Sequence, residues 1–390
     1  MSLQAKVDAL LRSAVANGDV PGVVALATDG DETVYEGGFG ERVLGGGAAM
    51  SPDTVVWIAS MTKAITAAAA MQLVEQGRLD LDRPARDVVP ALAEVEVLEG
   101  FDDAGQPITR APARPITLRQ LLTHTAGFSY EIWQEPIIRC QEANGLPGII
   151  TCEERALQTP LLFDPGERWE YGINIDWAGK MVEAMSGQKL GAYLKANIFE
   201  PLGMRDTAFK ITDDMRSRLA KIHQRGDDDR FEPLLDLEIP QAPEFEMGGG
   251  GLYGTIRDYA KFIRMILNKG RADGHQILKT ETIETMSVNQ MGECRVCMLK
   301  TAMPSLSNDA EFFPGMPKTW GLSFMINTER APTGRTAGSL GWAGLANSYF
   351  WIDPSASIGG VYATQVLPFA DKKALPLFLE FEKTVYDRLS

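Results

Sequence analysis

The sequence predicts an α/β fold of the α+β type, an antiparallel sheet flanked by helices with a mainly helical domain inserted. Three observations carry that expectation: strand patterns crowd at both ends of the chain, helical periodicities fill its middle, and one Ala-rich helix is apolar nearly all round. Residues 1–90 and 310–390 are expected to form the sheet domain and 91–309 the helical one, with an active site at their interface.

Leu3, Val7, Leu10, Leu11 and Val15 form one apolar stripe, so the chain opens with an amphipathic helix. Residues 23–28 and 33–39 flank Asp29-Gly-Asp31, the pattern of an antiparallel hairpin. The apolar run 55–59 enters Ser60, and the alanine-rich segment from there to Gln76 stops at Gly77; a helix so uniformly apolar belongs in the core. A turn-rich stretch, 99–114, precedes Thr117-Leu-Arg-Gln120, a capping box.

Ile175, Ala178, Met181, Val182 and Met185 repeat at helical spacing before Ser186-Gly187, and 190–198, ahead of Pro201, and 257–267 also read as helices. Stretches 206–247 and 287–318 are too long for simple connections and are expected to be irregular lids or pocket walls. Beyond Trp320, 321–326, 347–352 and 358–365 read as strands, and 375–389 as a closing helix interrupted by Pro376.

The 390 residues are 45% hydrophobic and 23% charged, enough to bury a large core, and the net charge of −14 argues against a nucleic-acid partner. No stretch reaches the roughly 18 apolar residues that span a membrane, and the N-terminus lacks a leader pattern, so a cytoplasmic location without a membrane partner is expected. Cys294-Arg-Val-Cys297 has the spacing of half a zinc site or of a redox pair, but the Met-rich stretch does not resemble the strand-turn-helix a redox pair needs. A complete zinc site would need Cys140 and Cys152 to converge on this pair, and neither a metal nor another cofactor is expected.

A catalytic serine needs either an imidazole held by a carboxylate or a neutral lysine or tyrosinate beside it. No complete Gly-x-Ser-x-Gly elbow occurs, and the histidines are His124, His223 and His275 alone. Ser-x-x-Lys occurs twice, as Ser60-Met-Thr-Lys63 and Ser186-Gly-Gln-Lys189. Gly187 looks like a helix stop, which would swing Lys189 away. Ser60 stands at the mouth of the buried helix, where residues three apart share a face and both burial and the helix N-terminus favour a neutral amine. The competing reading is a serine N-cap with a solvated lysine.

Ser60-Met-Thr-Lys63 is joined in order by Leu121-Leu-Thr-His-Thr-Ala-Gly127, Pro165-Gly166 with Trp169-Glu-Tyr171, Pro201-Leu-Gly-Met204 and Gly248-Gly-Gly-Gly-Leu-Tyr-Gly254. Across nearly its whole length the chain resembles a family VIII carboxylesterase, a relative of class C β-lactamases and penicillin-binding proteins. The resemblance implies a β-lactamase-like fold. It makes Ser60 the acylated nucleophile, Lys63 its base, and Tyr171 the group that carries the proton to the leaving alcohol and later activates water. For Tyr171 to do so, its pKa must fall or its proton must be shared with Lys63.

By the same resemblance the backbone N–H groups of Ser60 and Leu345 form an oxyanion hole, and Tyr130, Trp342, Gly344 and Asn174 contact substrate. Two departures stand out. The lactamase Lys-Thr-Gly is replaced by Trp342-Ala343-Gly344, and Ile173 stands where an Asn is usual, with Asn174 one later. Trp342 offers no cation for a β-lactam carboxylate, which favours small uncharged esters. His124, in a tight Thr/Gly turn, is expected to be structural.

The sequence therefore reads as a serine carboxylesterase for short-chain esters. The alternatives are a β-lactamase, amide hydrolase or acyltransferase with the same residues. A non-catalytic binding module is opposed by intact Ser60, Lys63 and Tyr171. The expected partner is a small ester, and the oligomeric state stays open.

Overall fold

In the computed structural model, which describes residues 2–272 and 274–388, the two chain ends share one sheet. Seven strands lie in the order Lys318–Trp320, Met325–Asn327, Leu340–Gly344, Ser348–Asp353, Ile358–Ala363, Gly22–Thr28 and Thr33–Gly40. All neighbours are antiparallel, and Gly22–Thr28 pairs with Ile358–Ala363 to join N- and C-terminal chain.

Strand alternation explains the layers. Tyr349 and Trp351 point one way, onto Phe378 of the closing helix Ala374–Tyr386. Phe350 points the other way and meets Tyr259 of helix Ile256–Leu267. Gly359 lets Ile263 of that helix come close, since a Cβ there would lie 2.6 Å from the Ile263 side chain. Beyond this layer the alanine-rich, largely buried helix Thr62–Glu75 packs on Asn174–Ser186.

Several expectations need correction. Pro376 does not interrupt the closing helix; it sits in the first turn, where its missing N–H would have had no helical acceptor. Leu389 lies outside the described residues. The stretch 206–247 is not wholly irregular, for Ile222–Arg225 and Phe231–Leu234 pair within it, and the first also pairs with Val366–Leu367. The expected strand 321–326 is a hairpin, Lys318–Trp320 with Met325–Asn327, which takes Lys318 from the irregular stretch. The helix from Leu190 continues past 198 through a π turn, Lys195–Phe199, to Glu200–Leu202. Among the described residues no helix is long and apolar enough to cross a membrane.

Candidate active site

Ser60 lies in a 3-10 turn, Ala59–Met61, that leads into the buried helix. The preceding Ala59 has φ 45°, a left-handed conformation that costs a non-glycine residue about 1–3 kcal/mol and persists only where its surroundings impose it. Part of that constraint is strand Leu340–Gly344, pressed against the turn: a Cβ on Gly344 would lie 2.3 Å from the Ile58 carbonyl oxygen. Gly344 is thus the residue that allows the strand and the nucleophile turn to touch.

Lys63 follows one turn later and is fully buried. Its Nζ lies 3.1 Å from Ser60 Oγ and 3.0 Å from Tyr130 Oη, and donates to the Gly249 carbonyl at 2.6 Å. It also lies 4.7 Å from the centre of the Tyr171 ring. Burial drives the amine well below the ordinary lysine range, against the opposing pull of the Asp176 carboxylate. A lysine so placed can be a neutral base at neutral pH.

Tyr171 is held from several sides. Its backbone is pinned because Gly172 presses on Phe128 and Ser129; a Cβ at 172 would come 2.3 Å from Ser129 Cα. Its ring packs on His124, Trp133, Tyr130 and Trp342, with centroids 4.7, 5.4, 5.6 and 4.9 Å away. The Trp342 indole N–H donates to its hydroxyl at 2.9 Å, and the hydroxyl also interacts with Ser60. Burial raises the phenol above its usual value despite those two contacts. Of the two routes expected for Tyr171, a lowered pKa or a proton shared with Lys63, burial opposes the first.

Two cavities of about 30 and 10 Å³ flank Ser60 and share Ser60, Trp133 and Leu345. The first is walled by Trp57, Ile132, Ile149, Ile150 and Met247, the second by Tyr171, Leu299, Trp342 and Phe369. Both are small, with Ser60 on the wall they share. Leu299 comes from the stretch 287–318, expected to supply a pocket wall. Clefts of about 530, 540 and 680 Å³ elsewhere contain none of Ser60, Lys63, Tyr130 and Tyr171.

Of the residues singled out by sequence, Ser60, Lys63, Tyr171, Tyr130, Trp342, Gly344 and Leu345 meet here. Asn174 does not: it is fully buried at the start of its helix, and its amide donates to His124 Nδ1 at 3.0 Å and to the Phe128 carbonyl at 3.3 Å. Its expected substrate contact is corrected to a grip on the histidine that packs against Tyr171. Ser186 and Lys189 lie apart, as Gly187 adopts φ 73° and Lys189 Nζ reaches the Glu244 carbonyl. The thiols of Cys294 and Cys297 are free.

Asp176 was missed. It is buried, and its Oδ1 accepts from the Gly249 N–H at 2.8 Å. Its neighbours at helical spacing are Gly179, Lys180 and Glu183, so by sequence it reads as part of a polar helix face and nothing marked it. The glycine run has a matching reason, since a Cβ on Gly249 would lie 2.4 Å from Asp176 Oδ2.

A family model described as Beta-lactamase matches residues 7–380. A lovastatin esterase of Penicillium rubens is 32% identical over 401 residues, covering 98% of each chain. A monacolin J acid methylbutanoyltransferase of Aspergillus terreus is 32% identical over 398 residues, covering 97% of this chain and 95% of its own. A mutant of the simvastatin synthase from Aspergillus terreus superposes with a TM-score of 0.85 at 31% identity, covering 98% of this chain and 96% of the other.

Proposed function

The chain belongs to the beta-lactamase family, and on that premise we propose that it is a serine carboxylesterase for small esters, of the family VIII kind. The observation that carries the reading is the buried Lys63 Nζ, 3.1 Å from Ser60 Oγ, with protonated Tyr171 on the other side of the nucleophile.

Lys63 takes the Ser60 proton as Oγ attacks the ester carbonyl, and the N–H groups of Ser60 and Leu345 receive the oxyanion. The ester C–O bond then breaks, Tyr171 protonates the departing alcohol, and the Lys63 ammonium returns a proton to Tyr171. Water enters by the reverse proton path and releases the acid. The apolar walls around Ser60 suit a short uncharged acyl group.

A second reading, transfer of the acyl group to an alcohol, is supported by the methylbutanoyltransferase relatives and uses the same residues with an alcohol in place of water. Incubating the protein with p-nitrophenyl butyrate, alone and with a series of alcohols, separates the two. Hydrolysis as the main outcome supports the esterase; ester products dominating at low alcohol concentration would replace it by the acyltransferase. Absence of both reactions, and of an acyl adduct on Ser60, would reject both.

A further inference from the structure

We propose that Asp176 is a positioning residue for the reaction: the buried counter-ion of the Lys63 ammonium that forms when Ser60 is deprotonated. The inference rests on the serine-enzyme reading above.

The geometry is a clamp across one peptide. The Gly249 N–H donates to Asp176 Oδ1 at 2.8 Å, and the carbonyl of the same residue accepts from Lys63 Nζ at 2.6 Å. On a second side, Tyr130 Oη lies 3.0 Å from Lys63 Nζ and hydrogen-bonds to the Asp176 carboxylate, whose pKa burial raises to about 6 against the pull of Lys63. The carboxylate is buried, takes the Gly249 N–H and the Tyr130 hydroxyl, and has the Lys63 amine as the opposite charge acting on it.

The titratable groups around the pair are Lys63, Tyr130, Tyr171, His124, Glu131 and Cys152. His124 is held neutral by burial and by Lys63, and Tyr130, Tyr171 and Cys152 keep their protons, with burial the leading cause in each. Glu131 lies on the Tyr130 side, and burial raises it. Lys63 and Asp176 are the pair between which charge can pass. When Ser60 gives its proton to Lys63, the new ammonium has the carboxylate behind it, and when Lys63 returns the proton toward Tyr171, the charge disappears. Asp176 touches neither substrate nor nucleophile in this scheme.

The test compares wild type with Asp176→Asn, which can keep the acceptor for Gly249 N–H but loses the charge. Fluorophosphonate labelling of Ser60 is followed against pH, because it needs only an activated serine. Losing the anion should lower the Lys63 pKa, moving the acid limb of labelling down by about one to three pH units and slowing the plateau about ten- to a hundredfold. An Asp176→Ala variant assayed with formate and with formamide gives an independent reading: formate should restore rate and limb, formamide neither. Wild type that labels while Asp176→Asn keeps its acid limb would overturn the role of Asp176 alone, as would Asp176→Ala without a formate effect should Asp176→Asn not fold. Wild type that does not label would remove the serine-enzyme reading and this inference with it.

Discussion

The indole N–H of Trp342 donates to the hydroxyl of Tyr171 at 2.9 Å, which ties the tryptophan to the group proposed to carry the proton. In the mechanism proposed above, the N–H stabilises the phenolate formed as the leaving alcohol takes its proton. Replacing Trp342 by Phe keeps an apolar wall but removes the donor. The expected outcome is a kcat lower by about tenfold with a smaller change in KM, in line with a net hydrogen bond of about 1 to 1.5 kcal/mol. Steady-state kinetics on p-nitrophenyl butyrate measure it; an unchanged kcat would reduce Trp342 to packing.

Trp342 also bears on substrate class. A β-lactam carboxylate facing indole forfeits a charge-assisted hydrogen bond worth about 1.5–3 kcal/mol. Nitrocefin should therefore be a far poorer substrate than the butyrate ester, and Trp342→Lys should weaken ester turnover while raising nitrocefin binding. Equal kcat/KM for the two substrates in wild type would point to another cation and to a lactamase.

Ser60→Ala and Lys63→Ala should each lower ester turnover by several orders of magnitude without unfolding the protein, since nucleophile and base act as a unit. Ser186→Ala should be neutral, because Gly187 ends its helix and Lys189 turns toward Glu244. More than about a tenth of wild-type activity in Ser60→Ala would rule out the nucleophile assignment.

The pH dependence has a definite sign. Lys63 works as a base only when neutral, and burial places its folded-state pKa below the ordinary 10.5. Serine labelling should accordingly be complete above that lowered value, persist near neutral pH, and fail as pH drops through it. A labelling profile that rises only near pH 10.5 would mean a solvated lysine.

Gly344→Ala tests the contact between strand and nucleophile turn. The added Cβ would meet the Ile58 carbonyl at 2.3 Å, and backbone must shift to receive it. A loss of about 1–3 kcal/mol in denaturant unfolding is expected, together with a rate loss from the displaced Ser60. A variant with wild-type stability and rate would show that the turn has slack the packing denies.

What the sequence by itself determined about this protein rests on spacing and periodicity. Ser60 and Lys63 share a helical face because they are three residues apart, Thr117 and Gln120 form the capping box their spacing announces, and the apolar helix Thr62–Glu75 is buried as its composition requires. Such features are local, so the chain carries them without knowledge of its neighbours.

Only the tertiary structure decided which groups complete the site. Tyr171 takes a hydrogen bond from Trp342, 171 positions away, and Asp176, whose carboxylate opposes the effect of burial on Lys63, is held by a glycine 73 positions beyond it. Asn174 looked like a substrate ligand by order along the chain, yet the close approach of Gly172 to Ser129 brings it against His124. Pro376 looked like a helix break, and its position in the first turn made it harmless. A pKa follows from burial and from the charges nearby, and both are set only when distant segments pack together.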